Sequence, residues 1–142
     1  MIDRILVPVD GSEQSEEACD LVFEEFPDAT LVLLHVINPA EASYGAQASV
    51  PSFSEEWYEE EKGRAQNIFG DIEQRASEHG VEVEHAVEVG KPARVIVDFA
   101  EEHDIDHIVM GSHGRQGVSR VLLGSVAETV MRRSPVPVTV VR

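Results

Sequence analysis

Ile108-Val109-Met110-Gly111-Ser112-His113-Gly114, followed at a spacing of nine residues by Gly124-Ser125, is the stretch on which the reading of this chain turns. The apolar run has the composition of a buried strand, and the segment Val126 to Arg133 has that of a helix, so two glycine turns surround one strand-to-helix junction. Glycine permits positive φ and the close approach of a bulky anion. The free N–H groups and positive dipole of a helix start attract phosphate. The junction therefore reads as a phosphate cradle, with the Ser112 and Ser125 hydroxyls as added donors.

The charge distribution singles out the same region. Residues 107–142 carry five arginines (115, 120, 132, 133 and 142) against one acid, Glu128, while residues 1–106 carry 26 acids against six Lys or Arg. In a chain of net charge −16, the basic, glycine-rich segment is where an anionic ligand is tolerated. Arg115, inside the glycine turn, is the better phosphate partner. Arg132 and Arg133 read as complements to a helix C-terminus.

Outward from this junction, short β-branched runs alternate with longer segments of helical period, the signature of βαβ units and a parallel sheet. Five strands are expected, at Arg4 to Val9, Thr30 to Val36, Val81 to Val89, His107 to Met110 and Val136 to Val141. Four helices separate them. The first runs from an N-cap at Ser12 to Phe26, and the second is capped by Ser54 and ended by Gly80. Pro92 opens the third, a favoured first-turn position. The fourth is Val126 to Arg133. The expected fold is α/β, a Rossmann-like five-stranded parallel sheet of order 3-2-1-4-5 with helices on both faces, in a single domain over residues 1–142. Ile5-Leu6-Val7 and Leu31 to Leu34 have the continuous apolarity of central parallel strands. The last strand contains Pro137, which cannot donate to a central ladder, and so belongs at an edge. An apolar edge invites association unless covered, and pairing with its own copy in a two-fold homodimer through Val136 to Val141 covers it.

Composition narrows the function classes. At 142 residues the chain suits one core. No signal-like or membrane-length apolar run is read in the sequence, which gives the expectation of a cytoplasmic protein without a membrane partner. The strongly acidic balance argues against nucleic acid. Two lysines against nine arginines, together with 27 acids, suggest adaptation to high salt. Cys19 shares an apolar helix face with Ser15, Ala18, Val22 and Phe26 and reads as a small core residue. The six histidines show no metal-ligand spacing, and no metal site is expected. Residues 38–53 form a long connection with one charge, Glu41, and its role is left open.

With the order 3-2-1-4-5, the strand order reverses between the first and fourth strands, and ligands bind at the carboxyl ends there. The turns Asp10-Gly11-Ser12 and Gly111-Ser112-His113-Gly114 then face one crevice, with Val36, Pro8 and Val9 as an apolar wall for a flat base. Common fingerprints fail. There is no G-x-G-x-x-G, and Gly90-Lys91 lacks the rest of a P-loop, since Pro92 replaces the required hydroxyl residue and position 85 is His85. Lys91 reads as a helix-start residue. Ser112 and His113 are not read as a nucleophile pair, because sequence neighbours need not point together and no orienting acid is identifiable. His35 reads as structural and His113 as a solvent-facing turn residue.

The residues quoted so far carry a resemblance. Gly111, Gly114, Gly124 and Ser125 complete the pattern G-x₂-G-x₉-G-(S/T), and the opening Ile5-Leu6-Val7-Pro8-Val9-Asp10-Gly11-Ser12, Leu34-His35-Val36, Gly90-Lys91-Pro92 and the closing Pro137 to Val141 match as well. On these, over essentially its whole length, the chain resembles the universal stress proteins, of the branch that binds ATP. The resemblance implies that Pro8, Asp10 and Val36 surround adenine, that Met110, Gly111, Ser112, His113, Gly114 and Arg115 line ribose and the first phosphates, and that Gly124, Ser125 and Val126 grip the outer phosphates. Gly117, in the variable stretch Gln116 to Arg120, is expected among the nucleotide-binding residues as well. It implies ATP or another adenine nucleotide as ligand, with Mg²⁺ held by the phosphates. The function expected is a dimeric, nucleotide-responsive binding module with unidentified protein partners and no catalytic residues. A slow ATPase or phosphotransferase at the same crevice, or a nucleotide-independent dimer, are the alternatives.

Overall fold

The computed structural model describes residues 2–41, 54–113 and 123–142. Five parallel strands, β1 (Arg4–Pro8), β2 (Thr30–Ile37), β3 (Val83–Val89), β4 (His107–Gly111) and β5 (Val138–Val141), form one sheet in the order β3-β2-β1-β4-β5. Between them run α1 (Glu13–Glu25), α2 (Glu55–His79), α3 (Pro92–Glu102) and α4 (Ser125–Arg133). The α/β fold and the strand order are those expected from the sequence. Strand bounds shift by one or two residues.

Strand alternation sorts the core onto two faces. Ile5, Val7, Leu31 and Leu33 pack with Cys19, Val22, Phe23, Phe69 and Ile72 from α1 and α2. On the other face Leu6, Val32, Leu34 and Ile108 pack with Ile96, Phe99 and Val130 from α3 and α4. Each large apolar side chain so buried contributes about 1.5–3 kcal/mol relative to exposure. Burial also pushes the Cys19 thiol up to about 12, which leaves it protonated and inert as a nucleophile.

Local signals set the helix ends. Ser12 caps α1 by accepting from the Ser15 amide at 3.2 Å, and Ser54 caps α2 by accepting from the Trp57 amide at 3.1 Å. Gly80 closes α2 in the left-handed conformation. Pro92 stands in the first turn of α3, with Lys91 as its N-cap. At the opposite end of the sheet, Asp106 accepts from the amides of Asp3 and Arg4, both at 2.9 Å, and these two bonds hold its carboxyl below the usual carboxylate range. They tie β1 to the segment leading into β4, the two strands whose far ends bound the crevice.

The two sheet edges differ in character. Edge strand β3 exposes Glu84, His85 and Glu88, whereas all four residues of β5, Val-Thr-Val-Val, are half-buried. β5 lies at the edge as expected, but the proline explanation needs correcting: Pro137 precedes the strand, and its carbonyl accepts from the Ile108 amide at 3.0 Å. The edge position follows from the topology. Among the described residues no helix is long and apolar enough to cross a membrane.

Candidate functional site

At the carboxyl ends of β1, β2 and β4 a crevice of about 900 Å³ opens between the sheet and the starts of α3 and α4. That volume is in the range of small-molecule sites. Pro8, Val9, Asp10 and Val36 line one side, and Met110, Gly111, Ser112 and His113 line the other. Gly124, Ser125 and Val126 close it from the α4 side. All eleven of these are positions picked from sequence, brought together by the topology. Gly114, Arg115 and Gly117, along with Arg120 and residues 42–53 of the long connection, lie outside the described residues.

The first lip is built by local rules. Gly11 has φ +83°, a conformation that L side chains rarely adopt, and this turns the chain from β1 into α1. Asp10 Oδ1 accepts from the Ser12 amide at 2.9 Å, so its carboxylate shapes the turn as well as facing the crevice. The Val9 amide is engaged with Leu34 O at 2.9 Å, and His35 Nδ1 lies 2.9 Å from Val9 O, consistent with a structural role for this buried histidine.

The second lip departs from expectation in three ways. First, neither Gly111 nor Gly124 is among the positive-φ glycines, and Gly124 has φ −69°. What they lack room for is a side chain against protein: a Cβ on Gly111 would stand 2.8 Å from Gln14 Cβ, and one on Gly124 would stand 2.9 Å from Ser112 O. The small residues here serve packing of the chain on itself, in addition to any room they leave for an anion. Second, the amides of the turn are already used. Ser112 N donates to Val141 O at 2.8 Å, His113 N to Gln14 Oε1 at 2.7 Å, and Gly124 N to Ser112 O at 2.6 Å. Third, Ser112 and His113 do meet, with Oγ and Nδ1 3.1 Å apart. The third member of that cluster is Gln14, whose Oε1 accepts from Ser112 Oγ at 3.1 Å; the other ring nitrogen of His113, Nε2, is buried with no partner among the described residues, so no acid orients the ring and the three do not form a nucleophilic triad.

Donors for an anion remain at the start of α4. Gly124 is its N-cap and provides no side-chain cap, and the first helical amide with a main-chain partner beyond the helix is Glu128 N, to Gly124 O. The amides of Ser125, Val126 and Ala127 donate to no described residue outside the helix. All three residues line the crevice. A helix start with three open amides beside an apolar wall is an arrangement for an anionic group carrying an apolar body. The charged residues described around it are Lys91 against Asp10, Glu41 and Glu128, the last paired with Arg132. Among the described residues no cluster of three or more His, Cys, Asp or Glu is grouped to hold a metal.

Fold and crevice together define a doubly wound α/β protein whose crevice lies at the reversal of strand order. The chain matches the model of the universal stress protein family over residues 1–142. It is 34% identical to universal stress protein MJ0577 of Methanocaldococcus jannaschii, across 100% of this chain and 96% of that protein. The solved MJ0577 structure superposes with a TM-score of 0.86, over 99% of this chain and 96% of the other, at 35% identity. Universal stress protein YxiE of Bacillus subtilis is 32% identical over the full length of both chains. A universal stress protein solved in complex with cAMP has a TM-score of 0.71 at 25% identity, covering 99% of this chain and 97% of the other. The chain belongs to the universal stress protein family.

Gln14 is the residue that sequence reading missed. It stands in the run Glu13-Gln14-Ser15-Glu16-Glu17, where it reads as part of a polar helix face. Nothing local marks it, because its partners are the turn after β4, about a hundred residues on.

Proposed function

We propose that this protein binds ATP, or another adenine nucleotide, in the crevice and acts as a nucleotide-responsive binding module. The observation that carries the reading is the set of open amides at Ser125, Val126 and Ala127, facing the same space as Pro8, Val9, Val36 and Met110. Phosphates take the amides, and the base takes the apolar wall. Support also comes from the relative of the same fold that was solved with cAMP. A divalent cation such as Mg²⁺ accompanies the phosphates, because a ligand of several negative charges enters a crevice with three described carboxylates and one described lysine.

Binding is favoured over turnover. Hydrolysis needs a group that orients the attacking water or takes its proton. Of the three described carboxylates, Asp10 holds the Ser12 amide, Glu128 pairs with Arg132 and Glu41 is engaged as well, while the Ser112 hydroxyl sits between Gln14 and His113. The half-buried apolar β5 edge supports a homodimer through Val136 to Val141, checked by sedimentation equilibrium: a two-protomer mass is expected, and a monomer at micromolar concentration removes the proposal. The acidic composition supports adaptation to high salt.

Isothermal calorimetry with ATP and Mg²⁺, with adenosine as control, tests the reading. ATP is expected to bind in the micromolar range and more tightly than adenosine. Equal affinity for both would show that phosphate is not what the crevice recognises.

A further inference from the structure

Gln14 connects the two lips of the crevice, and the connection reaches α4. It stands two residues after the Asp10-Gly11-Ser12 turn, inside the first turn of α1. From there Oε1 accepts from the His113 amide at 2.7 Å and lies 3.1 Å from the Ser112 hydroxyl, while its Cβ packs where Gly111 leaves room. Ser112, only 1% exposed, in turn accepts at its carbonyl from the Gly124 amide, at 2.6 Å, and donates its own amide to Val141 O at 2.8 Å. Gly124 is the N-cap of α4. Ser112 and His113 line the crevice and Gln14 does not.

We propose that Gln14 is a positioning residue for the phosphate half of the site: it holds the turn after β4, and through Ser112 and Gly124 it sets where the open amides of α4 stand. This rests on the nucleotide reading and deepens it. The side chain touches no ligand. It occupies the His113 amide, which removes that group from the donors offered to phosphate, and it fixes Ser112 so that the Gly124 amide and the three after it keep one orientation. An acceptor is required at this position, since two donors converge on one oxygen, and an apolar side chain of equal length leaves the His113 amide without its partner and the Ser112 hydroxyl with His113 Nδ1 alone.

The consequence is selective. The adenine wall, Pro8, Val9 and Val36, comes from β1, its end and β2, to which the Gln14 side chain makes no described hydrogen bond, so the residue matters for a nucleotide and not for a nucleoside. Gln14→Met keeps the length and the helix propensity while deleting the acceptor. It is expected to weaken ATP binding about tenfold, roughly 1.4 kcal/mol, to leave adenosine affinity unchanged, and to speed hydrogen exchange at the His113 amide. Gln14→Glu retains an acceptor oxygen and is expected to keep that amide protected. Undiminished ATP affinity in Gln14→Met overturns the proposal. So does a parallel loss of ATP and adenosine affinity, which assigns Gln14 to general stability alone. A wild-type chain that binds neither ATP nor adenosine is a different failure, that of the nucleotide reading beneath.

Discussion

The two lips of the crevice use the same residue types to different ends. Around Asp10-Gly11-Ser12, glycine supplies a backbone angle, φ +83°, and the polar side chains bond within the turn itself. Around Gly111-Ser112-His113 and Gly124, glycine supplies space at ordinary angles, and the polar groups bond to α1, β5 and α4. The first lip is a local structure that carries its own instructions. The second is a junction of distant elements, held only when the rest of the domain is in place.

This difference can be broken by equivalent substitutions. The largest effect is expected at the second lip: Gly111→Ala drives a Cβ to 2.8 Å from Gln14 Cβ and 3.3 Å from its carbonyl carbon, where backbone cannot yield. It should cost about 3 kcal/mol of unfolding free energy, read from urea denaturation. Gly11→Ala should cost less, about 1 kcal/mol, because the added methyl meets only the Ile68 side chain, at 3.4 Å and beyond, and the penalty is the left-handed backbone. Equal costs, or the reverse order, would mean that the two lips do not differ as described.

The same contrast explains what could be read in advance. Gly11, Ser12, Ser54, Gly80 and Pro92 act through neighbours within a few residues, so the turns and helix starts they govern were legible, as was the α/β alternation that yields the strand order. Gly111 and Gly124 were legible as positions that exclude a side chain. The reason was not, because the excluding atoms belong to Gln14 and Ser112 and come near only in the folded chain. Pro137 illustrates the same limit: its presence near an edge strand was visible, while its carbonyl bond to Ile108 and its place outside the strand depend on how β4 and β5 align. Gln14 itself had no local signature.

It follows that the glycine pattern is weaker testimony for a ligand than it first reads, and that the open amides at the start of α4 are stronger. The most direct measurement of the central claim is a ¹⁵N–¹H correlation spectrum recorded through titrations with ATP plus Mg²⁺ and with adenosine. The account predicts that the amide resonances of Ser125, Val126 and Ala127 shift with ATP and stay in place with adenosine, while those around Val36 respond to both. Unmoved Ser125, Val126 and Ala127 amides at saturating ATP would contradict it.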